Sequence, residues 1–281
     1  MKVDGTDKMK TEECGHTERQ LREIRFYEDY ANQALTTEVC FDPVSGNERR
    51  PWNSYWRTYE LAKERYDSGA RVLLDFCCGS GATSLVFAKI GYDVHGFDIT
   101  PANIEIARKL SEKHGLTAKT HFSVQPAEKT SFASGSFDVI AGIDVLHHIE
   151  IEPAMRECRR VLKDGGIAIF REPVETPAFD ALRNSSPVKK LFPKGRSLER
   201  HITEDEKKLN AGDMAVIRRH FPSMKLERFT FLSRLDPFVR RNGSKGPSLL
   251  ERVDHALFRK MPSLGRMGGG VVIKLKKGRN G

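Results

Sequence analysis

Two short apolar segments, each containing an acidic residue near a strand end, constrain the fold of this chain more than any other feature. In the first, Val72–Ser84, an apolar run passes through Asp75 to a Gly-Ser-Gly turn and then to the start of a helical pattern. The second, Val94–Asp98, follows after the length of one helix. Strand, glycine-rich turn, helix and second strand in this order make a βαβ unit. We therefore expect a ligand site at the carboxyl ends of these strands.

The rest of the chain extends this unit into an α/β fold. The predicted parallel strands lie at 71–77, 92–97, 121–124, 137–143 and 167–170. Because helical patterns alternate with them, the strands should form a parallel sheet covered on both faces. Lys163-Asp-Gly-Gly166 is predicted as a turn, and Gly270–Lys276 as a late antiparallel strand at the sheet edge. The predicted fold is a doubly wound, mostly parallel seven-stranded sheet with an antiparallel last strand.

Additions to this sheet are predicted at both of its ends. Residues 1–20 are polar and are expected to be a disordered arm. Residues 21–68 are expected to form an N-terminal helical cap, and 69–281 the α/β domain. Prolines and lysines are dense at 173–210, which we interpret as an insertion after strand five that also caps the site.

Composition limits the cellular context. Of the 281 residues, 38% are hydrophobic and 30% charged, and no apolar run approaches the roughly 20 residues of a membrane span. The N-terminus lacks an apolar signal core, and the five cysteines fit no zinc spacing. We therefore expect a protein of the reducing cytoplasm, with no transmembrane segment and no bound metal.

The net charge of +9 is concentrated in the C-terminal third, where residues 183–281 carry 24 Lys/Arg against 9 Asp/Glu. A solvated basic surface explains this, and so does an anionic acceptor, a nucleic acid or a membrane face. No compact basic run argues for RNA, so nucleic acid is not favoured. The helical segment Leu249–Phe258 is amphipathic, which suits either core packing or a membrane surface.

The glycines and acids favour an adenosine-type ligand without a pyrophosphate. Gly79 and Gly81 allow close backbone approach, and the following helix points its N–H groups at the site. A dinucleotide fingerprint would have Gly or Ala where this chain has Ser84, and no GK[ST] motif follows. Asp98 at the end of the second strand can accept hydrogen bonds from both hydroxyls of a ribose.

At this point the chain resembles the Rossmann-like S-adenosylmethionine-dependent methyltransferases, in their small-molecule, methyltransferase type 11-like branch. The resemblance covers roughly residues 70–171. It rests on four motifs in order: Val72–Gly81, Asp98–Asn103, Ser136–His148 and Val161–Gly166. Two positions depart from the family, with Cys77 in place of a glycine and Pro126 where an acid often contacts the adenine.

The resemblance implies a set of cofactor-binding residues. Asp75, Cys77, Gly79 and Gly81 would hold the methionine end, Asp98 the ribose, Ile99, Ala127 and Glu128 the adenine, and Ile143 with the Gly142 backbone the reactive end. It also implies methyl transfer from S-adenosylmethionine to an O or N atom of a small or medium-sized acceptor, an anionic or amphipathic one among the options.

Such an in-line displacement needs a base only if the acceptor must lose a proton. His147, His148 and Asp144 follow strand four at the rim of the site and are the candidates, with Glu172 after strand five as another. Cys77 and Cys78 are not expected to be nucleophiles. Two alternatives stay open, an RNA or protein methyltransferase and a non-catalytic cofactor-binding regulatory subunit. The sequence leaves the oligomeric state open.

Overall fold

A computed structural model describes residues 16–34, 38–46, 48–177, 207–236 and 247–278. Most of the predicted N-terminal arm, residues 1–15, lies outside the described residues. Its last three residues, 18–20, are part of the first helix. The prediction of a cap at 173–210 falls largely on 178–206, which also lie outside the described residues.

Within the described chain, seven strands form one sheet. The strands are β1 (Val72–Phe76), β2 (Asp93–Asp98), β3 (Thr120–Val124), β4 (Phe137–Ile143), β5 (Leu162–Pro173), β6 (Lys225–Phe229) and β7 (Gly270–Lys276). Their spatial order is β3-β2-β1-β4-β5-β7-β6. The first five strands are parallel, whereas β7 is antiparallel to both β5 and β6. The predicted sheet is confirmed, but β7 is not at its edge: it lies between β5 and the true edge strand, β6.

Helices cover both faces of this sheet. They are α1 (Glu18–Ala34), α2 (Asp42–Ser45), α3 (Ser54–Asp67), α4 (Ala82–Ile90), α5 (Pro101–Lys113), α6 (Ile151–Val161), α7 (Ala211–His220) and α8 (Leu249–Lys260). Successive residues of a strand face opposite sides. Leu73 therefore joins an apolar cluster with Tyr59 of α3 and Phe87 of α4, whereas Leu74 joins one with Met155 of α6 and Ile217 of α7. No helix in the described part of the chain is long and apolar enough to span a bilayer.

The predicted turn Lys163–Gly166 is instead an irregular start of β5. The register with β4 shifts there, because Phe137 pairs with Leu162 but Val139 pairs with Ile167. Gly165 has a left-handed φ of 77°, and its N–H donates to the carbonyl of Lys277 at 3.1 Å. The glycines allow a bulge that stays within the sheet, so the strand is longer than periodicity alone predicts.

The order of the strands fixes where a ligand can bind. The chain moves outward from β1 through β2 to β3, then crosses back to β4 on the other side of β1. At such a switch point the loops after neighbouring strands diverge and open a crevice. This crevice lies between the ends of β1 and β4, beside the Gly-Ser-Gly turn and the loop that carries the two histidines.

Candidate active site

A cavity of about 670 Å³ opens at the carboxyl ends of β1, β2 and β4. This volume is in the range of small-molecule and cofactor pockets. Its floor is the turn after β1, and one wall is the loop after β4. The N-terminal helix α1 also contributes side chains to the lining, among them Gln20, Glu23 and Tyr27.

Two glycines of the turn after β1 have different tasks. Gly79 has φ 53°, lines the cavity, and would have a Cβ in open space with no atom within 4 Å. Gly81 has φ 81° and a Cβ there would lie 2.6 Å from Cβ of Ala107 on α5. Gly81, although predicted to bind the cofactor, is not among the cavity-lining residues. Its position is explained by close packing between the turn and α5.

Asp75 is a buried carboxylate beneath this turn. The hydroxyls of Thr83 and Ser84 both donate to its Oδ2, each at 2.6 Å. The serine that departs from a dinucleotide fingerprint therefore has a role in holding the acid. Burial raises the pKa of Asp75 to about 6, against the lowering effect of the two hydroxyls. An opposite charge in the cavity would favour its ionised form.

Asp98 is held at the end of β2 by three donors. The N–H of Gly79 donates to Oδ2 at 3.0 Å, while the N–H of Thr100 and the amide of Asn103 donate to Oδ1 at 2.9 and 3.2 Å. Burial raises the pKa of Asp98, and these donors oppose that rise. The carboxylate reaches the cavity in a fixed orientation, as recognition of two neighbouring hydroxyls requires.

The other residues that the resemblance implied are brought to the same cavity. Its lining includes Cys77, Ile99, Ala127, Glu128 and Ile143. Glu128 accepts a hydrogen bond from Nε2 of Gln20 on α1 at 3.1 Å, so the cavity wall and α1 are joined there. Burial raises the pKa of the Cys77 and Cys78 thiols well above their usual value, which leaves them poor nucleophiles.

The two histidines after β4 face different surroundings. His147 is buried and does not line the cavity, and its Nδ1 lies 2.7 Å from Oε2 of Glu172. Glu172 is itself fully buried and accepts hydrogen bonds from the N–H groups of Val145 and Leu146 at 2.9 and 2.8 Å. This carboxylate fixes the loop after β4. Glu172 therefore lies behind the site.

His148 lines the cavity. The centroid of its ring lies 4.1 Å from that of His147, with the two rings tilted by 41°, and 6.1 Å from that of Tyr27 in an edge-to-face arrangement. Its Nδ1 is buried and lies 3.5 Å from Oε2 of Glu23, with no hydrogen-bond partner among the described residues. Of the two adjacent histidines, His148 is therefore the one that a ligand in the cavity can contact.

Asp144 also lines the cavity, but its carboxylate is engaged. It forms an ion pair with Arg171 and accepts a hydrogen bond from the hydroxyl of Tyr55 at 2.9 Å. The guanidinium of Arg171 lies 4.3 Å above the ring of Tyr55, which closes the cluster. Asp144 has φ 57°, so the backbone is strained where the loop leaves β4. These partners favour a structural role over proton transfer.

Sequence reasoning missed the polar residues that α1 brings to the site. Its apolar and aromatic spacing indicates a helix with a buried face, but no motif marks Gln20 or Glu23. These residues become site residues only because α1 lies across the ends of the strands.

The chain's similarity to known proteins agrees with this geometry. Residues 74–170 match the family model described as a methyltransferase domain. The match assigns a methyltransferase domain to these residues, which are less than half of the chain. A curated relative, the ubiquinone biosynthesis O-methyltransferase of Cereibacter sphaeroides, is 33% identical over 138 residues, which are 48% of this chain and 55% of the relative. The chain thus spans about half the length of the curated relatives it matches.

Solved structures with little sequence similarity share the fold of this chain. Geranyl diphosphate C-methyltransferase from Streptomyces coelicolor A3(2), 13% identical, superposes with a TM-score of 0.57 over 94% of this chain and 98% of its own. The cyclase SpnF, 18% identical, also gives 0.57, over 94% and 97%. Because one of these proteins is a cyclase, the fold by itself does not determine the reaction.

The residues of the methyltransferase domain fit S-adenosylmethionine. The open space at the Cβ position of Gly79 lets a ligand lie directly against the turn. Two buried carboxylates, Asp75 and Asp98, flank that turn, one suited to an ammonium group and the other to ribose hydroxyls. In the part of the chain that the structure describes, no basic side chain bonds either carboxylate, so both can face a ligand.

Proposed function

We propose that this protein transfers a methyl group from S-adenosylmethionine to an oxygen of a small acceptor. The observation that carries the proposal is one continuous cavity in which two buried carboxylates lie at one end and His148 with Glu23 at another wall. Oxygen is favoured as the acceptor atom because the curated relatives are named O-methyltransferases.

Asp98, Asp75 and the turn would bind and orient the cofactor. The bound cofactor supplies an electrophilic methyl group on a sulfonium. Holding this group in line with the acceptor is the main catalytic task of the chain, because positioning can supply several kcal/mol of the barrier. The apolar lining, including Ile99, Ala127 and Ile143, excludes water around the reacting atoms.

His148 is the proposed general base. A hydroxyl acceptor is a weak nucleophile until it loses its proton, and His148 is the histidine of this loop that lines the cavity. Glu23, 3.5 Å away, would stabilise the protonated imidazole. His147 and Glu172 have a positioning role: their hydrogen bonds hold the loop that carries His148.

The acceptor is proposed to be a small molecule that enters between α1 and the loop after β4. The cavity lining combines Tyr27 with charged groups of both signs, Arg19, Glu23 and Lys129. Such a lining suits a planar, polar acceptor such as a phenol or a catechol, whose hydroxyl is acidic enough for an imidazole to activate.

A methyl-transfer assay tests this function. The protein is incubated with isotopically labelled S-adenosylmethionine and a panel of phenols and catechols, and labelled product is separated. We expect turnover in the wild type, and a loss of about 10²–10⁴-fold in kcat for His148→Gln with an unchanged cofactor Kd.

His114→Gln is the matched control, because this histidine ends α5 and packs on Phe41, away from the cavity. Full kcat in His148→Gln would refute the proposed base. Tight cofactor binding with no turnover on any acceptor would instead favour a regulatory cofactor-binding subunit.

A further inference from the structure

A cluster of metal-ligating side chains lies on β2 and β3, outside the cavity. It consists of Asp93 and His95 on β2 and His121 on β3. Their ligand atoms all lie within 4.8 Å of one another. The cluster is near the amino end of β2, so Asp98 and the cofactor cavity lie at the other end of the same strand.

The parallel pairing of the two strands creates this cluster. His95 and His121 are direct partners in the β2–β3 register, and Asp93 is two residues before His95. Residues two apart on a strand face the same side of a sheet, so all three side chains share one face. Oδ1 of Asp93 lies 2.8 Å from Nε2 of His121, and the two imidazole rings are 4.7 Å apart at 33°.

The donor set suits a divalent transition metal. Imidazole nitrogen favours Zn²⁺, Cu²⁺, Fe²⁺ and Ni²⁺, and a carboxylate completes a three-ligand set that leaves positions for water. Bonds of about 2.0–2.2 Å to Zn²⁺ place two ligand atoms roughly 3–4 Å apart. The 2.8 Å between Asp93 and His121 and the upper limit of 4.8 Å for the whole set are close to that range, so small side-chain rotations suffice to place all three around one ion.

The surroundings make the cluster more than an exposed ion pair. His95 is half-buried, and the rings of Phe132 and Phe137 contact it at 5.9 and 5.6 Å. This aromatic wall limits the rotamers of His95 and excludes water from one side, as the apolar shell around many metal sites does. His121 and Asp93 leave the other side open, which gives an ion a path from solvent.

We propose that Asp93, His95 and His121 form a site for one Zn²⁺-type ion that joins β3, an edge strand of the sheet, to β2. An ion bound there stabilises the folded chain, because the three ligands come together only when the strands pair. The site is independent of methyl transfer. The sequence conceals it, because the spacing between residues 95 and 121 fits no metal motif.

Calorimetric titration of the tag-free protein with ZnCl₂ alone tests the proposal, with a parallel thermal denaturation. The wild type is expected to bind one ion per chain and to unfold a few °C higher with saturating Zn²⁺, by mass action. His121→Gln and Asp93→Asn should each lose this binding and this rise. Both positions are partly exposed, so the variants should fold.

Two controls separate the cluster from other Zn²⁺ ligands. His114→Gln should keep both the binding and the rise in unfolding temperature. Cys40→Ser removes an exposed thiol and should also keep them. Absence of saturable binding in the wild type, or equal binding in wild type and His121→Gln, would overturn the site and show that Asp93 and His121 form an ion pair only.

Discussion

At the scale of single residues, the two glycines of the turn after β1 have different structural roles. Gly79 and Gly81 both have left-handed backbones, yet one lies against the cavity and the other against Ala107 of α5. The sequence pattern treats them as equivalent. Only the packing of α5 distinguishes them, and that packing is a tertiary feature.

Substitution of Gly79 should therefore act mainly on cofactor binding, whereas substitution of Gly81 should act mainly on stability. Gly79→Ala adds a methyl group in the cavity and should weaken binding of S-adenosylhomocysteine strongly, with a stability loss of about 1–2 kcal/mol from the left-handed backbone. Gly81→Ala carries the same backbone strain and adds roughly 1–3 kcal/mol from overpacking against Ala107. Calorimetry and denaturant unfolding of both variants measure the two effects. A larger loss of stability in Gly79→Ala would contradict this division.

The raised pKa of Asp75 makes cofactor affinity depend on pH. Burial raises this pKa to about 6, so the carboxyl group of the unliganded protein is protonated below that pH. An ammonium group binds the ionised form, so affinity for S-adenosylhomocysteine should rise with pH up to about 6 and then level off. Below pH 6 we expect a loss of roughly tenfold per unit.

Titration calorimetry between pH 5 and 8 measures this dependence. Near pH 5 we also expect binding to release a proton from Asp75. Asp75→Asn is the control, because it removes the titrating group and keeps most of the shape. It should bind weakly with a flatter profile. An equally steep profile in Asp75→Asn would assign the titration to another group, with Asp98 the next buried carboxylate.

At the scale of elements, the contribution of α1 to the site could not be predicted from a sequence motif. Its Gln20 donates to Glu128 on the far wall, and its Glu23 approaches His148. The helix thus covers the cavity and supplies polar groups to it. The carboxylate that lies 3.5 Å from His148 thus comes from α1 and not from the loop itself.

Loss of the hydrogen bond between α1 and the cavity wall should speed release of the cofactor. Gln20→Ala removes this bond, whose net contribution of about 0.5–1.5 kcal/mol corresponds to roughly 2–10-fold in the dissociation rate. Stopped-flow displacement of S-adenosylhomocysteine measures that rate. Glu18→Ala, on the same helix but exposed and outside the cavity lining, should leave it unchanged. Equal rates in all three proteins would show that α1 does not retain the cofactor.

Periodicity predicts the elements well where one pattern acts alone. The bounds of β4 and β7 agree with their sequence patterns, because each is an uninterrupted apolar run between polar turns or glycines. The predicted start of β5 and the predicted edge strand were wrong, because contacts between distant strands determine both features. The bulge at the start of β5 depends on pairing with Lys277, and the edge position of β6 depends on which strand β7 meets first.

The cofactor-binding part of the candidate site could be predicted from the sequence, whereas the choice between the two histidines could not. Local motifs place Asp75, Gly79 and Asp98 at strand ends, and the sheet then brings them to one cavity. Local sequence could not show which of two adjacent histidines faces that cavity. The answer depends on Glu172, which holds His147 from the neighbouring strand.

At the scale of the whole molecule, the order of the strands assembles the site from distant parts of the chain. Because β1 and β4 are neighbours, the turn after Asp75 lies beside the loop that carries His148. The two terminal strands, β6 and β7, complete the sheet on the far side of β5 and take no part in the cavity lining. Among the described residues, the cavity lining therefore comes from the methyltransferase domain, α1 and Thr17 just before it.

Calorimetric titration with S-adenosylhomocysteine, on wild type and Asp98→Asn, tests the central claim most directly. The wild type should bind one molecule per chain. Asp98→Asn keeps the size of the side chain but loses a charged acceptor for two ribose hydroxyls, so affinity should fall by roughly 100-fold or more, at about 1.5–3 kcal/mol for each hydrogen bond to a charged group. A wild type that does not bind, or an Asp98→Asn variant that binds equally well, would contradict the account.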